Sequence, residues 1–262
     1  MNRALVSRIY FGVVAFASTM AVSPLAMAQK FDMTGNESVT NRPILLVGVI
    51  AALSLVPFLL MMTTSFVKIA VVMSVVRQAI GTQQIPPTQV ITGMAIILTI
   101  YVMTPVGLDI YHDVGGAIEK QQKGKAIDWD NLTADTLQTV LTTAKVPVRG
   151  FLIKHTHLRE RDMFYKLAWK MRKPRDRANL TDQDFSIIVP AFVITELKEA
   201  FQIGFILFVP FLVIDMIVSN ILMALGMQML SPTTISLPFK ILLFVLVDGW
   251  YLITRGLLLG YQ

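Results

Sequence analysis

The 262-residue chain has no cysteine, which excludes disulfides and thiolate metal sites. Charge is scarce as well. Asp, Glu, Lys and Arg make up 15% of the residues against 54% hydrophobic ones, and the mean hydropathy is +0.62. A soluble domain could not cover that much apolar surface, so the composition is that of a membrane protein. Only three histidines occur: His112, His155 and His157. The His155-x-His157 pair sits among Lys and Arg, which repel a cation, and two further zinc ligands are missing. It reads as a solvated loop, and no metal or other cofactor is expected. Neither a Gly-x-Ser-x-Gly elbow nor a His-Glu-x-x-His pair is present, and no histidine lies in an apolar segment. Those absences argue against an intramembrane hydrolase.

What is present is a repeat. Ala79-Ile80-Gly81-Thr82-Gln83-Gln84-Ile85-Pro86-Pro87-Thr88 returns as Ala224-Leu225-Gly226-Met227-Gln228-Met229-Leu230-Ser231-Pro232-Thr233, with five of ten positions identical. Upstream, Val56-Pro57-Phe58-Leu59 returns as Val209-Pro210-Phe211-Leu212. Each repeated turn lies between two apolar segments. The pattern predicts an all-α membrane protein built of two long, duplicated helical hairpins, their turns on one side. Gly81, Pro86 and Pro87 mark the first turn, Gly226 and Pro232 the second.

The boundaries follow from hydropathy. Residues 1–28 have a basic start at Arg3 and Arg8, an apolar middle, and Ala26-Met27-Ala28 as a small-x-small cleavage site, the pattern of a signal peptide. Residues 29–42 form a periplasmic N-terminal segment, 43–108 the first hairpin, 109–185 a polar helical domain, and 186–262 the second hairpin with a turn at 226–236. The first apolar run exceeds the ~20 residues that cross a bilayer and is expected to tilt, to break near Pro57 or to lie only partly in lipid. From a cleaved signal, four crossings place both turns in the cytoplasm and the polar domain in the periplasm of a bacterial inner membrane. Basic residues in that domain oppose this, but the positive-inside tendency weakens in loops beyond ~60 residues. Within it, 132–144 and 151–171 carry helical stripes, and 170–177 is a charged linker.

Charges at membrane depth are costly, about 2.5–3.5 kcal/mol each on insertion scales, and mark partners or water. They are Lys68 in the first segment, Glu196, Lys198, Glu199 and Asp215 in the third, and Lys240 and Asp248 in the fourth. Glu196 and Glu199 share a helix face. Lys198 also suits a snorkelling position at the interface. Spacing gives Lys240 two partners, Asp215 within the hairpin or Glu196 on a neighbouring copy, and does not decide between them. Met227 and Met229 flank Gln228 in the second turn. Flexible methionines on a turn, set around an axis, would make a soft apolar constriction. That requires several copies, because one hairpin encloses no pore.

The stretch Thr64-Ser65-Phe66-Val67-Lys68 through Arg77 to Pro87 resembles the first hairpin of the SctR/FliP proteins of type III secretion and flagellar export. Glu196 to Phe205, Ser231 to Lys240 and Asp248-Gly249-Trp250 resemble the second. The resemblance spans about residues 43–262. It implies a pore-forming export-gate subunit and no enzyme, passing unfolded proteins across the inner membrane. The implied partners are further copies of the chain (a pentamer), SctS/FliQ-like and SctT/FliR-like subunits, an SctU/FlhB-like switch protein, an SctV/FlhA-like component, exported proteins and lipid, without nucleic acid. It further implies a gasket at Met227, Gln228 and Met229, and a Glu196–Lys240 ion pair between copies. Gln228 departs from the family, which commonly has Met there, and weakens the apolar seal. Ser231-Pro232 with Ile235 to Pro238, and Gly256 to Tyr261, resemble the virulence branch. The signal peptide and Gly81 to Gln84 look flagellar. A secondary transporter also accommodates duplicated hairpins with buried charges, but its repeats are commonly inverted, and these are parallel.

Overall fold

The structure is a computed structural model that describes residues 43–82, 85–121, 134–178, 180–227 and 229–262. The expected signal peptide, the segment 29–42 and Gln228 lie outside the described residues. The chain divides into two compact units at Val56/Pro57. Of the first, only the start of helix α1 (Pro43–Thr63) is described.

Every described regular element is helical. The second unit continues with α2 (Phe66–Ile80), α3 (Thr88–Gln121), α4 (Ala134–Lys154), α5 (Leu158–Met171), a 3₁₀ turn (Pro174–Asp176), α6 (Phe185–Ala224), α7 (Pro232–Leu246) and α8 (Gly249–Leu259). Helices α3 and α6 are each long and apolar enough to cross a membrane. Two bent pairs raise the number of candidate spans to four, Ser54–Thr63 with α2 at 75° and α7 with α8 at 59°. At 1.5 Å per residue, the 40 residues of α6 reach about 60 Å, twice a hydrocarbon core. Its first half is accordingly packed in protein, and much of its second half presents apolar side chains outward, among them Ile206, Val209, Val213 and Ile217.

The break in the first apolar run lies at Thr64–Ser65 and not at Pro57, which sits inside α1. A proline removes one helical N–H but leaves the rest of the ladder. The turn at Ser65, whose side chain is fully buried, sends α2 off at the steep angle. Helix α2 then supplies the core stripe. Ile69, Val72, Met73, Val76 and Ala79 recur at three- and four-residue spacing and are wholly or almost wholly buried, mainly against α6 and α3. Helix α2 approaches α6 closely at Gly204, where an added Cβ would stand 2.9 Å from Val75 Cγ1.

Helix α3 does not end where its apolar run ends at Leu108 but continues to Gln121, and α4 packs along it. The expected helix 151–171 is two helices. The chain breaks at His155–His157, where the His157 N–H bonds Thr195 Oγ1 on α6 at 3.3 Å. Phe151 and Leu152 end α4 in a second apolar cluster with Ile188, Phe192 and Tyr261, whereas Leu158 is exposed.

Candidate pore loop and buried charge network

Both repeated glycines have positive φ, +85° at Gly81 and +73° at Gly226, a conformation that side chains with a Cβ rarely adopt. At the second turn the Gly226 N–H bonds Met223 O at 3.0 Å and the Met227 N–H bonds Leu222 O at 2.9 Å. This paired closure satisfies the last carbonyls of α6 and fixes the exit direction of the chain. Ser231 precedes Pro232, which opens α7 at a position where its missing N–H costs nothing. Between these two stops, Met227 and Leu230 are about half exposed, and Met229 is 99% exposed. Met229 therefore makes almost no contact with the described part of its own chain.

Two groups of charges lie behind the loop. The nearer one joins α6 to α7. Asp215 on α6 accepts from Ser236 Oγ at 2.5 Å and pairs with Lys240 Nζ at 2.6 Å, both from α7. Lys240 is buried, and its Nζ also reaches Ala79 O at 3.4 Å, beside Gly81. One ammonium therefore touches the first repeated turn and both arms of the second. Of the two partners that spacing allows Lys240, Asp215 is the one held within the chain.

The farther group centres on Lys68. Its Nζ stands 3.1 Å from Glu196 Oε1 and 2.6 Å from Glu199 Oε2, and 4.2 Å from the Tyr261 ring centre. Tyr261 donates its hydroxyl to Glu196 Oε2. The polar network runs outward through His157 Nε2, 2.6 Å from Glu199, and ends where Lys198 Nζ meets Glu160 Oε1 at 2.9 Å. Lys198 is thus paired as well as partly exposed. The Lys198 ammonium holds the Glu160 carboxyl below the ordinary carboxylate range. Burial, helped by Lys154 and Lys68, lowers His155 to about 4. His157, held against Glu199 and Thr195, is not merely solvated.

Glu196 and Lys240 do not meet within one chain, each being paired with other residues. Asp248 meets neither group; it is exposed at the α7–α8 bend. Tyr261, Glu160, His157 and Ser236 complete the clusters and were not among the residues singled out as sites. Only Ser236 had a local signal, one helical turn before Lys240. Among the described residues, no three His, Cys, Asp or Glu are grouped to hold a metal ion. An apolar cavity of about 190 Å³ lies at the α7–α8 bend, lined by Val76, Pro210, Phe211, Phe244 and Leu252 among others, and offers no polar group for a cofactor.

The FliP family model matches residues 49–257. Hypersensitivity response secretion protein HrcR of Ralstonia nicotianae is 40% identical over 217 residues, 83% of this chain and 96% of that protein. Yop proteins translocation protein R of Yersinia pestis is 42% identical over 217 residues, 82% of this chain and 95% of its own. Flagellar biosynthetic protein FliP of Bacillus subtilis is 42% identical over 231 residues, 88% of this chain and 97% of its own.

Proposed function

The chain belongs to the FliP family, and from that membership we propose that it is a pore-forming core subunit of a type III protein export gate. Unfolded substrates cross the bacterial inner membrane through a ring of such subunits, completed by SctS/FliQ-like and SctT/FliR-like chains and served by SctU/FlhB-like and SctV/FlhA-like components. The observation that supports this most is Met229, almost fully exposed on a turn whose backbone is closed on both sides. Met227, Gln228 and Met229 from successive copies form the gasket. Methionine side chains seal against ions and yield to a passing peptide, because their three rotatable bonds adapt to irregular shapes. The subunit needs no chemistry of its own.

In this reading the two hairpins, 43–108 and 186–262, are the duplicated elements, and 109–185 faces the periplasm. A Glu196–Lys240 pair between copies then requires Lys240 to leave Asp215 and Glu196, which has no exposed surface within one chain, to be uncovered on assembly. The exported cargo is that of a virulence-type system, which Ser231 to Pro238 and Gly256 to Tyr261 favour. A flagellar gate is the second reading, favoured by Gly81 to Gln84 and by a flagellar relative as similar as the secretion ones.

Ion conductance of membranes holding the assembled gate tests the gasket. Met227→Ala with Met229→Ala is expected to raise resting leak severalfold while the amount of assembled gate is unchanged. Unchanged leak at unchanged assembly would remove the gasket role from this loop.

A further inference from the structure

Helix α6 carries one outward stripe across the level where its surroundings change from packed protein to open apolar surface. Ile194, Lys198, Phe201, Phe205, Val209 and Leu212 recur at three- and four-residue spacing and so share a face. The five apolar ones are exposed, and Lys198, the one charge among them, is partly so. At the N-terminal end of this stripe, α5 and α6 enclose a groove of about 600 Å³. Arg159, Glu160, Asp162 and Lys166 line it from α5, Ile194 and Lys198 from α6. Polar groove and apolar stripe thus meet at Lys198.

Charge in the groove does not balance. Lys198 Nζ holds Glu160 Oε1 at 2.9 Å and Lys166 Nζ holds Asp162 Oδ2 at 2.6 Å, which leaves Arg159 over. Arg159 is exposed and has no ion pair among the described residues. Lys198 has further ammonium hydrogens to donate beside the one on Glu160. A free phosphate ion would use these donors and leave Phe201 and Phe205 bare. Hydrocarbon alone would leave Arg159 unmatched, and a zwitterionic headgroup would bring a cation of its own. A phospholipid with one net negative charge answers both parts. Two of its phosphate oxygens suit the fork of the Arg159 guanidinium. Below, the fourteen residues from Lys198 to Leu212 advance about 21 Å, more than the ~15 Å of hydrocarbon in one leaflet.

We propose, on the membrane reading above, that the α5–α6 groove and the α6 stripe together bind one anionic phospholipid of the periplasmic leaflet. Its phosphate lies between Arg159 and Lys198, and an acyl chain runs along Phe201 and Phe205. In that reading α5 stands at periplasmic height and Lys198 at the border of the hydrocarbon, where a lysine stem lies on apolar surface and its head stays polar. The bound lipid supplies the charge that Arg159 lacks within the chain.

The full-length chain, purified in mild detergent as the oligomer it forms, is equilibrated with equal amounts of phosphatidylglycerol and phosphatidylcholine of matched acyl chains. Mass spectrometry of the intact protein then counts the phospholipid retained per chain. Phosphatidylglycerol is expected to exceed phosphatidylcholine about fivefold, the factor that one surface cation gives. Arg159→Gln is expected to remove most of that preference at an unchanged amount of oligomer. Phe201→Ser with Phe205→Ser is expected to lower retention of both lipids, and excess inorganic phosphate to leave phosphatidylglycerol bound. Equal retention of the two lipids by the unaltered chain overturns the proposal, as does a preference that Arg159→Gln leaves intact. Displacement by inorganic phosphate, or full retention in the phenylalanine variant, overturns it in favour of a free anion. Loss of oligomer in Arg159→Gln overturns it by giving the groove to a neighbouring copy. Resistance of the chain to carbonate extraction reads membrane insertion separately, and resting leak reads the gasket, so failure of lipid binding and failure of the gate reading are distinguishable.

Discussion

Glu196 has no exposed surface, yet it carries a carboxylate, and Lys68 and Tyr261 make that tolerable. Removing one member of a buried pair leaves an uncompensated charge, typically costing about 3–5 kcal/mol. Lys68→Met is therefore expected to destabilise the detergent-solubilised protein by about that amount, read from its unfolding transition. Tyr261→Phe removes one hydrogen bond and keeps the ring, and is expected to cost about 1–3 kcal/mol. Equal and negligible effects from both would contradict the network. His155 makes a pH prediction. Its folded value is about 4 against an ordinary 6.5, so between those values the unfolded chain binds more protons. Stability must then fall as pH drops through that window and level off below it. His155→Phe keeps an aromatic ring beside Phe151 and Tyr261, whose ring centres lie 4.7 and 5.0 Å away, and is expected to flatten that slope in pH-dependent unfolding.

At the scale of elements, Gly204 sets how closely α2 approaches α6. With a Cβ only 2.9 Å from Val75 Cγ1, a larger side chain must push the helices apart. Gly204→Leu is expected to lower stability by about 1–3 kcal/mol, the usual cost of overpacking, and Val75→Ala beside it to recover part of the loss. Thermal unfolding of the three variants checks this; a neutral Gly204→Leu would contradict the close packing. The elements themselves were largely legible in the sequence. Gly81 and Gly226 stand where helices end in a left-handed turn, and Pro232 stands where one begins, because those residues act through local backbone geometry. Helix partners were less legible. Lys68, Glu196 and Tyr261 are far apart along the chain, and no local period links them. The helix break at Ser65 escaped for a similar reason, since Pro57 is the stronger local signal and packing of α2 on α6 decides the bend. His155 to His157 read as a loop, which they are, but the bonds of His157 to Thr195 and Glu199 come from a helix forty residues away in sequence.

For the whole molecule, the arrangement separates what is rigid from what is offered outward. Lys240 on α7 fastens the first turn to α6, and the Lys68 network fastens α2, α5 and α6 together with the Tyr261 segment. Ahead of them stands a turn whose methionines are held out from the fold, flanked by helix faces that stay apolar and open. In the proposed gate, copies of this body pack around a narrow, deformable opening. The most direct measurement of that account places cysteine at Met229, otherwise cysteine-free, and stalls an export substrate bearing its own cysteine in the assembled gate. The account predicts a covalent subunit–substrate product from Met229→Cys and from Met227→Cys, and none from Leu158→Cys, an exposed position on α5. No product at either loop position, from a gate that still exports, would contradict it.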